Sequence, residues 1–468
     1  ESNDYFSSEN YASRIVDGKL VIYTPVDLTY VRADKELPLP RIRRWTPAGG
    51  YSEWQPLFGI SDVYRPIQAT YSPAMHVLSV CPIAASGDFK CSSRGIVGPW
   101  NHEMYVAPNH AYLWLTANQT DVPWYDDKQS CGRGVDPRSL RGIPSAAFRL
   151  DIARGSLTAV RTEGEPSNQF AFDDRGTHLW ALVKRPPAEC SMENDDIDVD
   201  SDSDDLVPMA LARIPASAFS TSPPPFLAAD LYNVPAVANG WLQSQYTDKY
   251  LLYGTPQGGW AAYYGGRWGD AYHPGRLAIV PLPMPESGRL MKLGHSVDRI
   301  ERFGKHALVF GYPDVDDFAV SSISLRLNAR LEDTEIMPGA AESEGRSHAF
   351  NSVVAEDGAG LFGIPTVSLA GVRGENGWET PSDINFVRSD AQLNLTSADG
   401  LTGRPDREDS NYQCEVSCYD WYGNARPIFY RDRIFALTGQ EVVEGALMSG
   451  RVREIARVNL TDTPAHGH

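Results

Sequence analysis

The densest chemistry in the 468-residue chain is the acidic run Asp198-Val-Asp-Ser-Asp-Ser-Asp204. Asp198, Asp200, Asp202 and Asp204 place carboxylates at alternate positions, the spacing at which calcium loops supply oxygen ligands. The glycine that turns such a loop and the closing bidentate acid are both missing. A solvated acidic loop is therefore the favoured reading, and calcium the alternative. Six cysteines fall as Cys81/Cys91, Cys131/Cys190 and Cys414/Cys418. An even count with close pairs suggests three disulfides and an oxidising compartment; pairing in sequence order is one of fifteen connectivities. Cys414 and Cys418 lack the second Cys or Cys/His pair of a zinc site. For nucleophilic or acid–base catalysis the chain has no GxSxG, HExxH or P-loop. Its ten histidines are scattered; His178 and His348 sit in or beside expected strands and are read as packed or hydrogen-bonded.

A second kind of chemistry is offered by aromatic residues among glycines. Between Tyr253 and Tyr272, Trp260, Tyr263, Tyr264, Trp268 and Tyr272 are interleaved with Gly258, Gly259, Gly265, Gly266 and Gly269. Glycine at that density favours a loop, and rings on a loop cannot all turn into one sheet. This stretch, with Arg267, is the best candidate for a contact surface for protein or carbohydrate. The alternative is that Trp260 and Trp268 fill a gap between sheets. The earlier aromatic stretch Tyr51 to Tyr71, with Trp54, Phe58 and Tyr64, is read mainly as packing.

These residues must be positioned by β-structure. Hairpin patterns, apolar alternation broken by a short polar turn, recur with centres near residues 17, 109, 175, 248, 304, 357 and 432. Asp17-Gly18 and Asp357-Gly358 are strong turn dipeptides. Four strands per repeat fit a β-propeller blade lengthened by insertions, and such units must stack to bury both faces. Ile143-Pro-Ser-Ala-Ala-Phe148 is similar to Ile214-Pro-Ala-Ser-Ala-Phe219, suggesting equivalent places in successive units. Residues 1–13 read as a polar arm, 14–468 as the propeller, and 184–208 as an acidic insertion.

Composition narrows the class. Apolar residues make up 42% of the chain, with 40 glycines and 34 prolines, as many short strands and turns require. A net charge of −18 argues against nucleic acid and anionic lipid as partners. No apolar run is long enough for a transmembrane helix. The chain opens at Glu1 without a Met or signal peptide, as a processed exported protein would and as a trimmed sequence equally would.

Three stretches carry a family resemblance: Gly164-Glu-Pro-Ser-Asn-Gln-Phe170 with Thr177-His-Leu-Trp-Ala-Leu182; Ser347-His-Ala-Phe350 with Gly360-Leu-Phe-Gly-Ile-Pro365; and Ala425-Arg-Pro-Ile-Phe-Tyr-Arg-Asp-Arg-Ile-Phe-Ala-Leu437. They resemble the secreted bacterial and archaeal β-propeller domain family, distantly WD40-like. The resemblance is strongest over residues 143–460 and implies export and a propeller fold. It implies no catalytic residues, and the acidic insertion and the cysteine pairs depart from the family core.

The expectation is therefore an all-β chain forming one propeller, seven-bladed, in the periplasm, at the cell surface or outside the cell. Its role would be that of a binding module or scaffold without catalytic activity. The alternative is a propeller hydrolase or lyase, calcium-dependent in one version, with its site at a central channel.

Overall fold

The computed structural model describes residues 4–6, 12–31, 39–46, 50–67, 70, 72–83, 91–117, 143–185, 206–224, 229–238, 240–255, 275–314, 316–326, 328–368, 383–403, 425–438 and 441–460. Among them there are strands and short 3-10 turns but no α-helix, and no helix long and apolar enough to cross a membrane. The chain divides into two compact units, residues 1–239 and 240–468.

Each of the seven expected hairpins lies in its own, mainly antiparallel sheet and opens all but one of them, and in most sheets the strands follow one another in chain order. In the first unit, sheet 1 contains Ala12–Val16, Lys19–Asp27, Pro73–Pro82 and Ser92–Pro99, with Val63–Tyr64 added parallel to the last. Sheet 2 contains His102–Val106, His110–Thr116, Pro144–Asp151 and Leu157–Glu163, and sheet 3 contains Phe172–Asp174, His178–Lys184, Leu206–Pro215 and Asp230–Ala238. In the second unit, sheet 4 contains Gln243–Tyr246, Tyr250–Gly254, Arg276–Pro281 and Arg289–Lys292. Sheet 5 contains Arg299–Phe303, His306–Gly311, Asp317–Ser324 and Arg330–Pro338. Sheet 6 begins with Ala340–Glu342 and Asn351–Val354, which both pair with Gly360–Ser368, and continues through Asp383–Ser389 and Leu395–Thr402. Sheet 7 contains Ala425–Tyr430, Arg433–Thr438, Glu441–Met448 and Arg451–Asn459.

An alternating strand buries both faces when a sheet lies on either side, and the cores follow that logic. In the second unit, Ala307, Val309 and Ile323 of sheet 5 pack with Leu252, Leu277 and Ile279 of sheet 4. The alternate residues Leu308, Phe310, Phe318 and Val320 pack with Phe362, Ile364 and Val387 of sheet 6. Leu361, Ile384 and Phe386, on the other face of sheet 6, meet Ala425, Ala436 and Val443 of sheet 7. In the first unit, Val21, Tyr23, Leu78 and Ile96 of sheet 1 pack with Leu113, Leu115 and Phe148 of sheet 2. Successive sheets thus stack face to face within each unit. Burying each such Leu, Ile or Phe contributes about 1.5–3 kcal/mol. The final strands are the least covered, as in Arg451–Asn459, where Ile455 and Val458 are exposed.

Two expectations change. Ile143 precedes the third strand of sheet 2, whereas Ile214 ends the third strand of sheet 3 and leads into the turn Ala216–Ala218. The matching six residues therefore do not occupy equivalent places; small and apolar residues suit both a strand start and a strand exit. Residues Asp4–Phe6, expected within an arm, pair with Arg41–Thr46. Arg41–Thr46 also pairs with Gly50–Tyr51 and Gln55–Pro56, forming a small eighth sheet inside the long connection of sheet 1.

Candidate functional site

The polar residues that could do chemistry gather where neighbouring sheets meet. His102–Val106 opens sheet 2, and its alternation sends His102 and Met104 toward sheet 1, with Glu103 and Tyr105 on the opposite face. Met104 joins the sheet 1 core, and Tyr105 stacks on Phe172 of sheet 3 at 5.7 Å. On the sheet 1 side, the Tyr23 hydroxyl lies 2.7 Å from His76 Nδ1, and His76 Nε2 lies 2.8 Å from the Pro99 carbonyl. A carbonyl only accepts, so Nε2 carries the hydrogen and Nδ1 accepts from Tyr23. Burial, helped by His102, drives the His76 pKa down to about 3. The ring is a neutral brace. His102 packs edge-on against Tyr23, His76 and Trp100, and burial lowers its pKa also.

On the sheet 3 side, Glu103 has its pKa raised to about 7 by burial, with the Glu165 carboxylate adding to the shift. Asn101 Nδ2 donates to Glu165 Oε1 at 3.0 Å. Arg185 of the sheet 3 side pairs with Glu163 at 2.7 Å. Glu163 and Glu165 flank Gly164, and the reason for that glycine is visible. Its φ is +87°, and a Cβ there would lie 2.7 Å from Val183 Cγ2. This close approach lets Glu165 and Lys184 exchange two backbone hydrogen bonds, at 3.0 and 2.7 Å, stitching sheet 2 to sheet 3. The Gly164-to-Phe170 motif is therefore a connection between sheets. Asn168 continues it by accepting from the Phe170 amide at 2.9 Å.

A second node lies at the hairpin turn of sheet 3. Asp174 Oδ2 accepts from the Tyr112 hydroxyl at 2.9 Å and lies 3.1 Å from His110 Nδ1, while Oδ1 accepts from the Gly176 amide at 2.7 Å. Burial, then the Asp174 charge, pushes the Tyr112 hydroxyl well up. One carboxylate thus ties the turn to sheet 2.

The corresponding cluster in the second unit is more enclosed. Arg299 Nε donates to Glu342 at 2.6 Å and Nη1 to Glu301 at 2.8 Å; Nη2 donates to the carbonyls of Glu344 and Arg346, at 2.9 and 3.0 Å. Its side chain is 6% exposed. Burial pushes the Glu301 and Glu342 carboxyls up, and Arg299 pulls them back. Next to it, Asp298 is raised to about 7 by burial, opposed by the hydrogen bond from Ser296. Among the described residues, no group of three or more His, Cys, Asp or Glu could hold a metal ion.

The residues singled out from sequence divide sharply. Cys81 and Cys91 form a disulfide. Cys131, Cys190, Cys414 and Cys418, the acidic residues Asp198, Asp200, Asp202 and Asp204, and the contact candidates Trp260, Tyr263, Tyr264, Arg267, Trp268 and Tyr272 all lie outside the described residues. His178 is half-buried, 2.9 Å from Thr177 Oγ1 and edge-on to Trp180. His348 lies exposed on the turn Ser347–Ala349. Of the aromatic stretch read as packing, Phe58 is buried but Tyr51, Trp54 and Tyr64 are exposed. Sequence reading missed Glu103 and Arg299; a lone Glu or Arg in a strand that otherwise turns apolar residues inward is the available signal.

Exposed rings recur at one position. Trp100, Phe170 and Trp241 each stand two residues before the opening strand of sheets 2, 3 and 4, at 46%, 44% and 71% exposure. The intervening residue turns inward in two of the three: Ala171 is 0% exposed and Leu242 1%.

No protein-family model matches the chain, and no curated protein matches it. Among solved structures, a mutant of the Synechocystis apocarotenoid oxygenase aligns at 12% identity and a TM-score of 0.31, over 78% of this chain and 68% of that one. The Pyrococcus horikoshii acylaminoacyl peptidase aligns at 8% and 0.31, over 97% of this chain and 52% of that one. Hsv2 of Kluyveromyces marxianus aligns at 8% and 0.33, over 83% and 95%. At these TM-scores the likenesses carry no argument about activity, and the sheets themselves carry the fold.

Proposed function

We propose that the seven sheets are the blades of one β-propeller, and that the protein is an exported binding scaffold engaging protein or carbohydrate through exposed aromatic residues. The blade reading is supported by seven sheets that each contain one of the expected hairpins and by face-to-face stacking of successive sheets within each unit. Closing such a stack removes sheet edges that invite aggregation. Export is supported by the Cys81–Cys91 disulfide, which an oxidising compartment favours.

The observation that carries the binding role is the repeated ring before the opening strand: Trp100, Phe170 and Trp241. Exposed aromatics supply contact area with few rotors to freeze, and here they recur at one position before three successive sheets. The test is the triple variant Trp100→Ala, Phe170→Ala, Trp241→Ala. Screened against polysaccharide and extracellular-protein arrays, wild type should bind a partner that the variant loses at an unchanged melting temperature. A variant that binds as well as wild type contradicts the reading.

Glu103 favours a second reading, that of a hydrolase. A carboxyl whose pKa burial raises to about 7 suits general-acid chemistry. Glycosidase and esterase screens comparing wild type with Glu103→Gln test it, and calcium titration tests the dependence on Asp198, Asp200, Asp202 and Asp204. No turnover in any screen removes this alternative.

A further inference from the structure

The last strand of a sheet can pair edge to edge with another chain, and the sheets meet that hazard in different ways. In sheet 1, Val63–Tyr64 pairs along part of the edge. In sheet 2, Ala159 exchanges two backbone hydrogen bonds with Ser220, at 2.8 and 2.9 Å. Asp230–Ala238 of sheet 3 contains Pro235, which has no amide hydrogen to offer. Arg289–Lys292 of sheet 4 is short, with a cation at each end. Arg330–Pro338 of sheet 5 carries Arg330, Glu332, Asp333 and Glu335, and Arg451–Asn459 of sheet 7 carries Arg451, Arg453 and Arg457. Leu395–Thr402 of sheet 6 differs: its sequence, Leu-Thr-Ser-Ala-Asp-Gly-Leu-Thr, has no Lys, Arg or Pro.

That strand is closed by its neighbours instead. In an antiparallel pair, alternate residues turn their amides and carbonyls away from the partner strand. Two such amides are bonded by carboxylates of sheet 5: Leu395 donates to Asp333 Oδ2 at 2.7 Å and Ser397 to Glu335 Oε1 at 3.2 Å. Asp333 is itself held, its Oδ1 accepting from the Thr334 amide at 2.9 Å. At the far end of the strand, Arg457 of sheet 7 donates to the Thr402 carbonyl at 2.8 Å. Between these points the pairing is irregular: Val387 faces Ser397 but Asn385 faces Gly400, and Asp399 has a φ of +61°. A bulge of this kind disrupts an edge by itself. The two carboxylates cover the regular part, residues 395–397.

We infer that Asp333 and Glu335 guard the outer edge of sheet 6 against pairing with a second copy of this chain. An added strand would need the Leu395 and Ser397 amides as donors, and both are already bonded within the chain. A hydrogen bond to a carboxylate is stronger than one to a peptide carbonyl, so an incoming strand does not displace it. Leu331 and Ile336, exposed on the strand that supplies the carboxylates, would add apolar contact to any such pairing.

Sedimentation velocity of the full chain over a concentration series tests the guard. Asp333→Ala with Glu335→Ala should self-associate at least about tenfold more tightly than wild type. Asp333→Asn with Glu335→Gln keeps an acceptor oxygen at each position and should sediment as wild type does. Removing the same two charges elsewhere, at Glu332, which pairs with Arg330, and at the exposed Glu356, should also leave sedimentation unchanged. Adding Ser397→Lys to the double-alanine variant should reverse its association, because a lysine on an edge strand opposes pairing. If the double-alanine variant fails to fold, Glu335→Ala alone, which frees the Ser397 amide, decides by the same measurement. Sedimentation of the folded alanine variant indistinguishable from wild type would overturn the guard. Association of the Asn/Gln variant, or of the Glu332→Ala, Glu356→Ala control, to the same extent as the alanine variant would overturn it too, since charge rather than capped amides would then keep copies apart.

Discussion

The two units solve the same problem, carboxylates buried between sheets, in opposite ways. In the second unit, Glu301 and Glu342 are neutralised by Arg299, a permanent cation that also donates to the carbonyls of Glu344 and Arg346. In the first, Glu103 meets Glu165 and is held near neutrality by retaining a proton up to about pH 7. A carboxylate closed by arginine is a joint in which a permanent cation opposes the upward push of burial. One closed by a proton remains titratable, and so is the better place to look for chemistry or for sensitivity to pH. Asp298 lies beside the arginine joint and also keeps its proton to about pH 7, so the contrast is one of local pairing rather than of whole units.

The sharpest way to break the contrast is to remove the arginine. Arg299→Ala leaves two largely buried carboxylates uncompensated and should destabilise the second unit by about 3–5 kcal/mol. Urea unfolding reads this directly; a loss under 1 kcal/mol would make the joint ornamental. Asp174→Ala, in the first unit, strands the Tyr112 hydroxyl and frees the turn amide of Gly176. It should cost about 1–3 kcal/mol by the same measurement.

The proton-closed groups are probed by pH. Asp298 and Glu103 titrate near 7 when folded, but the unfolded chain ionises such groups near pH 4. Between those values the folded state holds more protons, so their contribution to stability falls as pH rises from about 4 to 7. His76 acts in the reverse sense: its folded pKa of about 3 lies below the unfolded value of 6.5, so stability is lost as pH drops through that interval. Asp298→Asn should therefore flatten the decline between pH 5 and 8, raising the melting temperature at pH 8 by on the order of 2 °C. Glu103→Gln should do the same more weakly, because water reaches its half-buried side chain. Identical pH profiles for wild type and both variants would contradict the protonated-carboxyl account.

Much of the fold could be read from the chain because hairpin turns are local. Asp17 and Gly18, Gly304, Gly358, and Arg431 with Asp432 all take positive φ at the expected turns. Four-strand sheets follow from alternation between turns, and strand His76 to Cys81 is buried as its composition implies. The site was less legible because its members come from different sheets: Arg299 and Glu342 are 43 residues apart, Asp174 and Tyr112 are 62. Neither pair leaves a spacing signature. Sequence does not reveal whether another sheet covers the Tyr51 and Trp54 rings; in the structure both are exposed and lie against the Arg43 guanidinium.

The proposed closure of the seven sheets into one ring is tested most directly by a distance between the first and the last. Nitroxide labels at Ile15 and Tyr430, exposed residues on the opening strands of sheets 1 and 7, can be read by pulsed electron–electron resonance. Sheets packed about 10 Å apart in a closed ring make these strands neighbours, so the account predicts a distribution centred at about 10–20 Å. An open stack of seven sheets would separate them by about 60 Å, and a peak there would contradict it.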